Sequence, residues 1–215
     1  MVRFQKAPSL FLCVYTALLF FPALYVLAEP AQQDNPSGFL EAEEAPLEEV
    51  TFSFLQGFPE AQVEKRKKGK VSRAQWKGTG FQFEDSDPNV VDFLAHDQTQ
   101  VNGKNRPAIW ALVMPGFESS LTFSKVPPAR KLKFFYALPD YVFQAAEKVL
   151  PSFVQIEIFI GKKRIYEGQT NTKGWKEKTV DLSLPYLLQR DLQVTIRIHS
   201  LDPQPRYLVF YGTLE

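Results

Sequence analysis

From Phe153 onward, apolar and polar residues alternate with a period of two. Val154, Ile156, Ile158 and Ile160 fall on one side of the chain and Gln155 and Glu157 on the other; Leu192, Val194, Ile196 and Ile198 repeat the pattern against Gln193, Thr195, Arg197 and His199. Successive side chains of a strand point to opposite faces, so β-branched residues at every second position predict antiparallel strands with one buried face. Gly161-Lys162-Lys163 supplies a turn, because glycine enters positive φ without steric cost, and Arg164-Ile165-Tyr166 returns. A polar loop, Gly168–Gly174, leads through Trp175 into a further strand ending at Asp181.

Upstream, Trp76–Phe83 predicts a strand interrupted by glycines, Asp85–Asn89 a turn, and Val90–His96 a short helix or strand. Gln98–Pro107 reads as a polar loop. Ala108–Met114, Ser120–Val126 and Arg130–Leu138 predict strands, the last two joined by Pro127-Pro128. Tyr141–Val149, between Pro139 and Pro151, has helical composition, and Asp202–Pro205 is a turn before a last strand, Tyr207–Tyr211. About eight to ten short strands at this spacing predict an all-β fold, an antiparallel sandwich or barrel.

The beginning of the chain follows a different pattern. Arg3 and Lys6 precede an uncharged apolar run, Ser9–Ala28, and Val26-Leu27-Ala28 places small residues before Glu29-Pro30. That is the layout of a signal peptide over residues 1–28. A run of about 20 apolar residues also spans a bilayer, which makes an uncleaved anchor the alternative; Pro22 and the cleavage site favour removal. The single cysteine, Cys13, lies inside this run, so the exported chain contains no disulfide. The lack of disulfides and of any N-x-[ST] acceptor points to a bacterial secreted or periplasmic location.

Residues 29–50 read as a flexible acidic linker, opening on EPAQQDNPSG, which has too little apolar surface to order itself. Glu29–Glu64 carries nine acids and no base. Leu47–Phe58 is more apolar and predicts a first strand or a docking segment, so the folded domain is placed at 51–215. With 19 Phe, 8 Tyr and 3 Trp, that domain has ample material for a core. Lys65–Arg73 then packs six bases into nine residues. This suggests a membrane-surface or polyanion contact, against the blander expectation of a solvated loop paired with the preceding acids. Net charge is +1, or −1 once Arg3 and Lys6 are removed, and gives no argument for nucleic acid.

Several stretches together look like a galactose-binding-domain-like jelly roll, the fold of many carbohydrate-binding modules. They are Ser120–Pro127 followed by Lys131–Tyr136, Val154–Ile160 with its Gly-Lys turn, Gly174-Trp175 leading into Val180–Ser183, and the Leu192–Ile198 strand with Tyr207–Tyr211. The resemblance covers about half of the chain. It implies a two-layer sandwich whose roles range over sugar binding, calcium-stabilised loops, protein docking and structural packing.

The chemistry within the chain favours binding over catalysis. There is no GxSxG elbow, no HExxH and no P-loop, and His96 and His199 lack a second ligand at metal spacing. Asp85, Asp87 and Asn89 imitate the start of an EF-hand, but Val90 and His96 stand where glycine and glutamate are required. An irregular calcium site on Asp85, Asp87 and Asp92 is the weak remainder beside the expectation of no cofactor. Aromatic rings are the best candidates, because a sugar stacks its C–H face on a ring while polar neighbours take its hydroxyls. Trp175 and Trp76 are named as ligand contacts, with Asn171 and Tyr166; Trp110, in mid-strand, is expected in the core. The first reading is an exported, non-catalytic β-sandwich that binds a glycan. The second is a structural or docking protein of the cell envelope, tethered by an uncleaved 9–28 segment.

Overall fold

The computed structural model of the chain describes residues 49–87, 91–144, 153–200 and 205–215. The signal-peptide or anchor segment and nearly all of the acidic linker lie outside the described residues.

Strands dominate. In chain order they are β1 (Phe52–Ser53), β2 (Gln62–Lys67), β3 (Lys70–Arg73), β4 (Gln75–Trp76), β5 (Gly80–Gln82), β6 (Phe93–Val101), β7 (Lys104–Val113), β8 (Glu118–Val126), β9 (Lys131–Ala137), β10 (Val154–Ile160), β11 (Lys163–Thr170), β12 (Lys176–Asp181), β13 (Leu192–Ser200) and β14 (Arg206–Leu214). Three single-turn helices join them: α1 (Phe54–Gly57), α2 (Tyr141–Gln144) and α3 (Leu184–Leu187). One sheet has the order β12-β9-β14-β7-β6-β5-β4 with β1 added on β14, and the other β11-β10-β13-β8-β2-β3. Every pairing is antiparallel. The protein is therefore an antiparallel β-sandwich, as the alternation predicts.

The alternation translates directly into burial. Val154, Ile156, Ile158 and Ile160 of β10, together with Leu192, Val194, Ile196 and Ile198 of β13, face inward and are buried. Opposite them lie Leu132, Phe134 and Tyr136 of β9 and Leu208, Phe210 and Leu214 of β14. Phe54 closes one side of this core: its ring stacks on Phe123 at 4.8 Å and meets Phe134 edge-on at 6.4 Å. Leu47 and Glu48 of the predicted Leu47–Phe58 segment lie outside the described residues, but its end docks into the core, with both Phe54 and Phe58 fully buried. Gly212 makes room for it, since a Cβ there would come 2.7 Å from the Phe54 ring.

The structure corrects several local expectations. Gln98–Pro107 is a continuous β-hairpin, turned at Asn102 and Gly103 with φ of 50° and 76°. Two successive positive φ values at Asn-Gly are the requirement of the tight turn that matches strand twist. The basic run Lys65–Arg73 is likewise a hairpin, β2 against β3, reversing at Lys68-Gly69 with φ of 47° and 83°. The Trp76–Phe83 strand is two short ones, β4 and β5, and β6 begins at Phe93. Helix α2 occupies the start of the predicted Tyr141–Val149 helix, whose remainder lies outside the described residues.

Phe54→Ala should cost about 3–5 kcal/mol, the range for removing a fully buried aromatic ring, measured as the drop in unfolding free energy in urea. A loss under about 1 kcal/mol would mean that the segment before β2 is an accessory to the core.

Candidate functional site

The β6–β7 hairpin is longer than the sheet that carries it. β7 pairs with β14 only as far as Ile109, whereas β6 and β7 stay paired out to Val101 and Lys104. The free arm folds across the outer face of its own sheet: Val101 and Ala108 pack with Ala137 of β9 and Val209 of β14, all fully buried. Three contacts clamp it. The Asp140 carboxylate accepts the Asn102 N–H at 3.1 Å, the Trp175 indole N–H donates to the Lys104 carbonyl at 3.2 Å, and the Arg106 guanidinium lies 4.1 Å above the Phe135 ring. A register shift between His96 and Thr99 permits the bend.

Trp110 sits where the arm leaves the sheet. Its side chain points outward and is half-buried, packed against the small outer cluster instead of the sandwich core. The mid-strand position correctly placed it in a strand, but parity puts it on the face opposite Ile109 and Ala111, which fill the core. The Trp110 Nε1–H donates to Thr99 Oγ1 at 2.8 Å, which fixes the ring. Three rings surround it: His96 at 5.4 Å, Tyr207 edge-on at 5.8 Å, and Tyr141 of α2 at 6.5 Å with planes only 9° apart. Tyr141 is 45% exposed. Burial pushes the phenols of Tyr141 and Tyr207 above the usual tyrosine range, so both stay protonated and uncharged at neutral pH.

Tyr207 also lines the next feature, an open, mainly apolar cleft of about 460 Å³ with Leu112, Met114, Phe117 and Pro205. Its polar wall holds Lys65, Asp85, Ser86, Asp87 and Asp92. Lys65, the first base of the basic run, is only 7% exposed. It points inward because it continues the buried parity of Val63. Its ammonium pairs with Asp85 and rests 4.3 Å from the Phe83 ring centroid. That hydrogen-bonded pairing holds the Asp85 carboxyl below the usual range. Asp92 accepts from the Phe83 N–H and from Ser86 Oγ, both at 2.9 Å.

The residues named from sequence are distributed as follows. Trp175 lies half-buried on the outer cluster, on the same face as Trp110. Asn171 is half-buried just beyond β11. Tyr166 packs against the sandwich core, with its hydroxyl 2.7 Å from that of Tyr136. Trp76, 37% exposed, is at the far edge of the same sheet and meets Phe58 and Phe81 edge-on. Asp85 takes the Lys65 ammonium and Asp92 takes two protein donors, and among the described residues no three His, Cys, Asp or Glu side chains gather as a metal site. Sequence reasoning missed Tyr141 and Tyr207. The Asn102-Gly103 turn was a legible signal for the β6–β7 hairpin that carries Trp110, but not for the two tyrosines that join it.

No family model matches the chain, and no curated protein matches it. Solved structures do. TmCBM61 in complex with β-1,4-galactotriose is 12% identical, with a TM-score of 0.41, over 78% of this chain and 99% of that one. The CBM27-1 module of Caldicellulosiruptor saccharolyticus in complex with mannohexaose is 10% identical, with a TM-score of 0.42, over 60% and 85%. The tandem CBM51 modules of Sp3GH98 from Streptococcus pneumoniae are 11% identical, with a TM-score of 0.45, over 71% and 48%. Likenesses this distant carry no residue and no ligand over to this chain.

The Lys65–Asp85 pair has a pH signature. Because the folded carboxyl titrates below its ordinary value of 3.8, its stabilisation is present above that value and is lost as pH falls through the lowered folded value. Asp85→Asn should therefore be less stable than the parent at neutral pH, with the gap in urea midpoint closing below pH 3.8. A gap that stays constant through acid would show that the pair contributes no charge interaction.

Proposed function

We propose that the protein is an exported, non-catalytic binding module for a glycan, which it holds on the Trp110–Tyr141–Tyr207 patch and in the cleft beside it. The observation that carries this reading is three adjacent, partly exposed rings on an outer sheet face, one of them fixed by its own hydrogen bond. An aliphatic sugar face stacks on such rings, and neutral phenols and nearby carboxylates serve its hydroxyls without a change of protonation. Three of the titratable groups of the cleft are already committed, Lys65 to Asp85 and Asp92 to Ser86 and the Phe83 N–H. That favours binding over acid–base chemistry. Export follows from the reading of residues 1–28 as a signal peptide. The envelope-docking alternative has one observation of its own, the solvent-facing Leu184 and Leu188.

A glycan array probed with the protein, Tyr141→Ala and Trp76→Ala tests the reading. Tyr141 is exposed enough to remove without unfolding, and its loss should weaken binding about tenfold, as expected for a stacking ring. Trp76→Ala should leave binding unchanged. Binding to no glycan, or equal loss in both variants, overturns the assignment.

A further inference from the structure

α3 and Leu188, which caps its C-terminal end shortly before β13, present two leucines to solvent, Leu184 at 65% and Leu188 at 77% exposure. Four residues apart, they fall on one side of a single helical turn. Beside them a cleft of about 550 Å³ runs between α3 and the Gly161-Lys162 turn, with Lys162, Lys163, Ser183, Gln189 and Asp191 in its walls. Tyr186 also lines it; the Tyr186 side chain is buried and its hydroxyl has no hydrogen-bond partner. The Lys163 ammonium lies 5.9 Å from the Tyr186 ring centroid.

Charge decides what kind of surface fits here. Lys162, Lys163 and Arg190 enter no ion pair among the described residues, and Asp191 is the one acid in the cleft wall. An apolar knob ringed by unpaired cations suits a lipid–water boundary, where leucines enter the acyl layer and cations meet phosphates. A protein partner would have to supply an apolar socket and an acidic rim together; an anionic leaflet offers both everywhere.

We propose that this corner docks on an anionic phospholipid surface. Leu184 and Leu188 enter the acyl boundary, and Lys162, Lys163 and Arg190 face lipid phosphates. The site does not depend on the glycan reading. It lies at the Leu192 end of β13, and the Tyr207 cleft, through Pro205, lies beyond Ser200 at the other end, roughly 30 Å away.

The test uses the full chain with Cys13→Ser and a bimane attached at Gln189→Cys. It is mixed with vesicles of phosphatidylcholine, alone or with phosphatidylserine, all carrying brominated acyl chains. The apolar run at 9–28 would bring the chain to both vesicle types, and the basic run Lys65–Arg73 also favours phosphatidylserine, so the position of the label and the variants of the corner isolate its contact. The expected result is a blue shift and bromine quenching on phosphatidylserine vesicles only. Lys162→Glu/Lys163→Glu should weaken that contact at least about twentyfold, since each cation near an anionic leaflet is worth about fivefold. Leu184→Ser/Leu188→Ser should abolish quenching while the far-UV spectrum stays unchanged. An unquenched label on both vesicle types, or quenching that neither double variant reduces, overturns the proposal and leaves a protein partner for the leucines.

Discussion

Two sheets stacked about 10 Å apart have to be held by the side chains between them. With its single cysteine at position 13, inside the segment read as a signal peptide, this chain has no disulfide to help. The interlayer contact therefore rests on branched aliphatics from β10 and β13 and on a group of phenylalanines. Phe54 is central to that group: it stacks on Phe123 of one sheet, meets Phe134 of the other edge-on, and occupies the space that Gly212 leaves open. Aromatic rings bury much apolar area with few rotatable bonds, which makes them an economical way to fix two layers in register.

That stable platform allows the unusual feature on its outside. A hairpin longer than its sheet would ordinarily project into solvent. Here Val101 and Ala108 fold it back onto Ala137 and Val209, and Asp140 and Trp175 hold its tip. The result is a second, small apolar cluster outside the main core. Its border is where Trp110, Tyr141 and Tyr207 remain partly open beside the Lys65–Asp85 cleft. The site is thus a consequence of where β7 stops pairing with β14.

The sandwich was legible because period-two burial is a local property: β10 and β13 can be read residue by residue and are buried as read. Turn chemistry at Asn102-Gly103 and Lys68-Gly69 was equally local, and weighing it would have replaced two expected loops by hairpins. Other features depend on long-range partners. Lys65 was one base among six until its parity with Val63 turned it inward to Asp85. Trp110 looked like a core residue because a strand has two faces, and sequence alone does not say which one a tryptophan takes. Tyr141 and Tyr207 join it from elements far away in the chain, so no spacing rule links them. Trp175, chosen from its loop position, does lie on the face of Trp110. Tyr166, on the strand before the same loop, turns toward Tyr136.

The most direct measurement is a titration of the protein with oligosaccharides, following the indole N–H resonances of its three tryptophans by nuclear magnetic resonance. The Trp110 resonance should move first and furthest, because its N–H is fixed to Thr99 beside the open rings, while the Trp76 resonance stays in place. Movement of Trp76 with a stationary Trp110, or no movement of any indole across a broad oligosaccharide panel, would contradict the assignment of ligand binding to this face.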